Sequence, residues 1–177
     1  MPQAPLPHIL STRPLLIVDA DEVLLHFVEA LSNFLPERGL YARWDSFALN
    51  GNIFDAHTHA PIKEDAITLL IDDFFANATH TIQAVEGAAD TLNALAPTWD
   101  IHILSNIPAA YRDARLANLA QHGIRFPLLT NCGGKGPTVQ RMASTTSAPT
   151  AFVDDLPPQH TSVRDHAPSV YRIHHVA

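Results

Sequence analysis

The feature that most limits the folds open to this chain is a regular alternation of short apolar runs with helical stretches. Residues 99–104 read as a strand, and 109–122 as a helix with Leu116 and Leu119 on one side. Residues 126–129 form a short strand, 137–142 a helix and 151–153 a strand, and a last helix–strand pair ends at Val176. An earlier strand, Leu15-Leu16-Ile17-Val18, has no polar alternation, as expected where both faces are buried. Strands separated by helices need crossover connections, so they form βαβ units. The expected fold class is therefore α/β, a Rossmann-like three-layer α/β/α arrangement around a parallel sheet.

The alternation breaks once, straight after the first strand. Phe27, Leu31, Phe34 and Leu35 recur at helical spacing until Pro36 and Gly39 end the run. Residues 40–60 read as irregular chain around Asn50-Gly51-Asn52. Helical spacing resumes after Pro61 with Ile67, Leu70, Ile71, Phe74 and Phe75, and a further helix spans about 88–94. We expect an α/β core of residues 14–25 and 84–177, interrupted by a small helical subdomain at 26–83. Residues 1–13, with Pro2, Pro5 and Pro7, read as a flexible tail and not as a signal peptide. The length of 177 residues suits one domain with a modest insertion, and 46% hydrophobic residues are enough for a real core.

Charge and cysteine content narrow the partners. A net charge of −7 leaves no basic excess to displace the counterions of a nucleic acid. No segment approaches the roughly 20 apolar residues that span a bilayer, so a soluble protein without a membrane partner is expected. Cys132 is the single cysteine; no intrachain disulfide can form, and a reducing cytoplasm is the natural location. Both a monomer and a homodimer fit.

Ligands of open α/β sheets bind beyond the carboxyl ends of the strands. Asp19 and Asp21 follow the first strand, Ser105 and Asn106 follow 99–104, and Asp154 and Asp155 follow 151–153. Lys135 opens the helix after 126–129. Taken singly these are ordinary residues: Ser and Asn favour helix N-caps, and a lone Lys is usually a solvated charge. Together they hold what phosphoryl transfer needs. Clustered carboxylates repel one another unless a cation neutralises them, and Mg²⁺ takes carboxylate and phosphate oxygens. Lys and Ser can hold the remaining phosphate oxygens, and a carboxylate can act as a covalent nucleophile.

This order of motifs resembles the haloacid dehalogenase-like hydrolase superfamily from about Pro14 to Val176. Its first motif is matched by Leu15-Leu16-Ile17-Val18-Asp19-Ala20-Asp21-Glu22-Val23 and its second by Ile101-His102-Ile103-Leu104-Ser105-Asn106. Lys135 matches the third and Phe152-Val153-Asp154-Asp155 the fourth. The resemblance implies that Asp19 attacks phosphorus to form an aspartyl-phosphate. It makes Asp21 the acid for the leaving oxygen and then the base for water. Ser105 and Lys135 would bind the phosphoryl group, with Asn106 close by. Mg²⁺ would be held by Asp19, the Asp21 backbone carbonyl and Asp155, with Asp154 supporting directly or through water.

The function so implied is a Mg²⁺-dependent phosphatase acting on a small phosphate ester. A non-catalytic phospho-ligand or protein-binding domain and a 2-haloacid dehalogenase are the alternatives. Dehalogenases displace halide, which needs no proton, and their pattern lacks the second aspartate. Glu22 departs from the Gly of many relatives and leaves the local flap shape open. The insertion at 26–83 lies where the superfamily places its C1 cap, which closes over the site. Small nucleotidases, phosphoglycolate phosphatase-like enzymes and sugar phosphatases share that layout. Phe27, Phe34, Trp44, Phe47 and Phe54 could stack on a base, although most are more simply the insertion's own core.

Two further strings invite other chemistry. His57-Thr58-His59 looks like the metal pair of amidohydrolases, but too little chain follows for a barrel of about 250 residues. Cys132-Gly133-Gly134-Lys135-Gly136 fails as a P-loop: Leu129 stands at its first Gly position, and Gly136 replaces Ser/Thr. These glycines are expected to turn Lys135 inward. The eleven histidines are dispersed, and His174-His175 reads as incidental.

Overall fold

The structure, a computed structural model, describes residues 6–10, 12–46 and 48–176. Phe47, one of the candidate stacking residues, lies outside the described residues, as do 1–5 of the expected tail. Five strands build one sheet: β1 (Leu15–Val18), β4 (Asp100–Ser105), β5 (Leu128–Thr130), β6 (Thr150–Asp154) and β7 (Tyr171–His174). Their spatial order is β5-β4-β1-β6-β7, and every pairing is parallel. Leu15 sits opposite both Asp100 and Thr150, so β1 is central and its carboxyl end is level with those of β4 and β6. The chain winds outward from β1 to β4 and β5, then returns to β6 on the other side. This reversal of strand order opens the crevice in which such sheets bind ligands.

The unbroken apolar run of β1 now has its reason. Leu16 and Val18 face one cluster with Leu92 of α3 (Ala88–Leu95) and Leu119 of α4 (Arg112–Gln121). Leu15 and Ile17 face a second cluster with Val139 and Met142 of α5 (Gly136–Ala143) and Val163 of α6 (Pro157–His166). Helices cover both faces, which gives the three layers.

Between β1 and α3 the chain makes α1 (Phe27–Phe34), α2 (Glu64–Asn77) and a separate two-stranded antiparallel sheet. That sheet, β2 (Leu40–Ala42) with β3 (Ile53–Asp55), corrects the reading of 40–60 as irregular chain and adds a short hairpin to an insertion otherwise made of helices. Strands of three residues are too short to display a period, yet Ile53 is fully buried. Phe74 forms the insertion's centre, with edge contacts to Phe27 at 5.5 Å and Phe34 at 5.2 Å. Phe54 stacks on Tyr41 at 5.5 Å.

The N-terminal stretch is not wholly free of the body. Leu6 and Ile9 pack against the second cluster, and the Leu10 N–H donates to Asp100 Oδ2 at 2.6 Å. Among the described residues, no helix is long and apolar enough to cross a membrane.

Candidate active site

Asp19 is the first residue beyond β1, and its N–H still donates to the Val153 carbonyl at 2.9 Å. That bond fixes the backbone next to the end of β6. Lys135 enters from the other flank as the N-cap residue of α5, with its chain almost fully buried. Its Nζ lies 2.6 Å from Asp19 Oδ1 and donates to Asp154 Oδ2 at 2.7 Å. The glycines around Lys135 serve two different ends. Gly133 turns the chain at φ 76°, whereas a Cβ on Gly136 would overlap the Ser162 carbonyl of α6. Helix α5 can therefore approach α6 closely enough for the Lys135 N–H to donate to Gln159 Oε1 at 2.8 Å.

The acidic pair divides its work. Asp154 is fully buried and spends both oxygens on protein: Oδ2 accepts from Lys135 and Oδ1 from the Leu156 N–H at 2.9 Å. Asp155 lines the cavity above Asp19, with a carboxylate oxygen within 4.8 Å of those of Asp19 and Asp154. Its backbone carbonyl accepts from His174 Nε2 at 2.7 Å, and the Asp154 carbonyl accepts from His160 Nε2 at 2.9 Å. His174 is thus not incidental; it braces the acidic loop from β7.

The electrostatics follow from this crowding. Burial pushes Asp19 up to about 7; Lys135 opposes the rise, and the neighbouring Asp154 and Asp21 carboxylates add to it. Asp155 is pushed up to about 6, chiefly by burial and then by Asp154. Burial alone would lower the Lys135 ammonium, but the charges of Asp19 and Asp154 leave it above its ordinary range. Asp19, Asp154 and Asp155 offer oxygens that all lie within 4.8 Å of one another. Three buried carboxylates balanced by one ammonium form a hard oxygen donor set that fits a divalent cation.

Asp21 lines the same cavity. Behind it stands Arg115 of α4, with no exposed surface and Nη2 2.8 Å from Asp21 Oδ1. Neither Asp21 Oδ1 nor any nitrogen of this guanidinium makes a hydrogen bond among the described residues, so the contact is a close ion pair without hydrogen-bond geometry. Glu22 adopts a left-handed φ of 56°, the geometry for which a Gly would be the relaxed choice. Its Oε1 accepts from the Val28 N–H at 2.7 Å, in the first turn of α1, where His26 offers no side-chain cap. Glu22 thus adopts a strained turn and supplies the missing cap.

Ser105 ends β4 fully buried, and its Oγ accepts from the Ile107 N–H at 3.2 Å. Asn106 is the neighbour that faces the cavity; it donates to the Gly133 carbonyl at 3.0 Å and accepts from Asn131 at 2.8 Å. His57 and His59 lie exposed in the turn after β3, where the Asp55 carboxylate accepts from the His57 and Thr58 N–H groups. Neither belongs to the metal-capable group found among the described residues.

These strand ends form the floor of a cavity of about 570 Å³, walled by α1, α2 and the chain between β2 and β3. No family model matches the sequence, and no curated protein matches it. Solved structures do. One is a haloacid dehalogenase-like family hydrolase from Streptococcus pneumoniae, with a TM-score of 0.66 at 13% identity over 93% of this chain and 85% of that one. The chain has the haloacid dehalogenase-like fold. A dehalogenase matches with a TM-score of 0.60 at 13% identity, over 94% of this chain and 86% of that one. The class C acid phosphatase from Bacillus anthracis matches at 0.50 and 17% identity, over 90% of this chain and 66% of that one.

Within this haloacid dehalogenase-like fold, Asp19, Lys135, Asp154 and Asp155 meet directly, and Asp21 and Asn106 join them around one cavity. The sequence reading missed Arg115. Its signal was its place four residues before the core residue Leu119, on the same helical face, where an arginine has to find a buried partner.

Proposed function

We propose that this chain is a Mg²⁺-dependent phosphohydrolase that cleaves a small phosphate monoester through an aspartyl-phosphate on Asp19. One observation carries the reading: Asp19 and Asp21 face one cavity, with Lys135 2.6 Å from the first and Arg115 2.8 Å from the second. Similar folds include both a dehalogenase and a phosphatase, so the fold does not choose between halide and phosphate. Asp21 favours phosphate, because an alkoxide needs a proton on leaving and a halide does not.

In the first step the Asp19 carboxylate attacks phosphorus, the ester P–O bond breaks, and Asp21 gives its proton to the departing oxygen. In the second, Asp21 takes a proton from water, which attacks phosphorus and breaks the bond to Asp19. Alcohol and phosphate result, and both carboxylates return to their first state. Lys135 balances the nucleophile's charge and lies beside the phosphoryl oxygens, with Asn106 at the edge of that site; Ser105, fully buried and bonded to the Ile107 N–H, stands outside the cavity lining. Arg115 pins one oxygen of Asp21 and so orients the other; it is a positioning residue.

Asp19, the Asp21 backbone carbonyl and Asp155 would hold Mg²⁺, with Asp154 acting through Lys135. When bound, the ion supplies positive charge to the phosphoryl oxygens and keeps the acidic cluster ionised. Residues 26–83 act as the cap in the C1 position. The exposed, unpaired Cys132 supports activity in a reducing cytoplasm.

The test is Mg²⁺-dependent release of 4-nitrophenol from 4-nitrophenyl phosphate by the purified chain. Turnover that disappears with chelator and with Asp19→Asn supports the reading. Folded protein with no turnover of it or of other phosphate esters overturns it.

A further inference from the structure

The cavity above Asp19 carries information on the alcohol part of the ester, and this inference rests on the phosphohydrolase reading. Its two ends differ in chemistry. The floor gathers Asp19, Asp155 and Lys135, while the walls present Phe27 and Val28 of α1, Trp44 and Leu49 before β3, and Ile71 and Phe75 of α2. Lys135 is the one cationic residue of the lining among the described residues, and it is held between Asp19 and Asp154 at 2.6 and 2.7 Å. The wall's other charges, Glu22 and Asp45, are both negative.

We propose that the substrate is a phosphate monoester of a neutral alcohol carrying an apolar ring, recognised by Phe27, Trp44 and Phe75. A second phosphate or carboxylate on the alcohol would find no cation in the lining left free to receive it. A cationic alcohol is not called for either, because the carboxylates of Glu22 and Asp45 already have partners. Glu22 accepts from the Val28 N–H at 2.7 Å, and Asp45 pairs with Arg43 at 3.2 Å. Arg115, the other buried cation among the described residues, stands behind Asp21 at 2.8 Å, outside the lining.

The aromatic wall is set before any ligand arrives. Trp44 Nε1 donates to Ser32 Oγ at 3.0 Å, so the indole's polar atom is satisfied and its ring is fixed. Phe75 is held by Phe27 at 5.9 Å and Tyr111 at 6.1 Å. Rigid rings lose little freedom on binding and prefer stacked or edge-on aromatic partners. A volume of about 570 Å³ suits a ring-bearing small molecule and leaves a two-carbon ester loosely held. Of the ester classes open from the sequence, phosphoglycolate does not fit this description.

The experiment compares kcat/KM, with Mg²⁺, for three alkyl esters: 2-phenylethyl phosphate, 2-phosphoglycolate and phosphoethanolamine. Acetyl phosphate, which has no ring to recognise, reports the chemistry alone. Burial of one ring predicts that 2-phenylethyl phosphate exceeds both other alkyl esters by roughly 30-fold or more. Asp45→Lys, at an exposed rim position, should shrink its lead over phosphoglycolate by about tenfold, and Trp44→Leu should shrink its lead over phosphoethanolamine. Equal or better turnover of phosphoglycolate or phosphoethanolamine by the unaltered chain overturns the inference and leaves the phosphohydrolase reading standing. No turnover of any of the four, acetyl phosphate included, overturns both.

Discussion

The floor and the walls of the cavity come from different parts of the chain and obey different rules. On the floor, strand ends of one parallel sheet bring charged groups into contact, and Lys135 ties two of the carboxylates together. Lys135 touches both Asp19 and Asp154, and Asp154 also takes the Leu156 N–H. The walls, contributed by α1, α2 and the chain between β2 and β3, are apolar and bear two carboxylates already engaged elsewhere. Under the phosphohydrolase proposal, the difference assigns the reaction to the sheet and the choice of substrate to the insertion. Damage to the floor should therefore abolish turnover of every ester, whereas damage to the walls should reorder them.

The largest expected effect is Asp19→Asn, a loss of about 10⁴-fold or more in kcat for all esters alike, with the fold retained. Lys135→Met should cost about 10²–10³-fold in kcat. It also leaves two buried carboxylates unpaired, so the metal-free protein should lose on the order of 3–5 kcal/mol, read by urea unfolding. Equal stability of that variant and the parent would show that the floor is not held by this contact.

Arg115→Met tests the positioning of Asp21. It should slow the alkyl esters by about 10–100-fold and 4-nitrophenyl phosphate much less, because a good leaving group needs no proton. Arg115→Lys should recover part of the loss; a uniform slowing of all esters would assign Arg115 a packing role only.

The floor also predicts how stability varies with pH. The folded-state values of Asp19 and Asp155, about 7 and about 6, lie above the 3.8 of an unstrained carboxyl. The folded state thus binds more protons than the unfolded state between these values. The stability these groups contribute is complete below pH about 4 and is lost as pH rises through 6 to 7. Metal-free protein should melt on the order of 5 °C lower at pH 8 than at pH 5, and Mg²⁺ should recover most of it. Asp19→Asn should flatten the profile.

The smallest effect belongs where floor meets wall. Glu22→Ala should destabilise by about 1 kcal/mol through the lost cap on α1, seen as a shift in urea midpoint without a change in slope.

How much of this was legible in the sequence depends on the length scale of each signal. The apolar run of β1 and the polar residues that follow β1, β4 and β6 announced the floor, because parallel register brings strand ends level. The β2–β3 pair did not show, since three-residue strands carry no period and their pairing spans a ten-residue gap in which no hydrophobic pattern holds. Arg115 and His174 were hidden for another reason. Their partners, Asp21 and the Asp155 carbonyl, lie far along the chain and are reached only through packing. The wall was partly visible: Phe27 and Trp44 were among the rings that could stack on a base, whereas Ile71 and Phe75 read only as an apolar helix face until the cavity placed them in its lining.

The central claim is that Asp19 becomes covalently phosphorylated. The most direct measurement mixes the chain and Mg²⁺ with ³²P-labelled substrate, quenches in acid within the first turnover, and maps the labelled peptide. The account predicts acid-stable label on the peptide holding Asp19, and none in Asp19→Asn. Rapid turnover with no protein-bound label, or label on another residue, would contradict it.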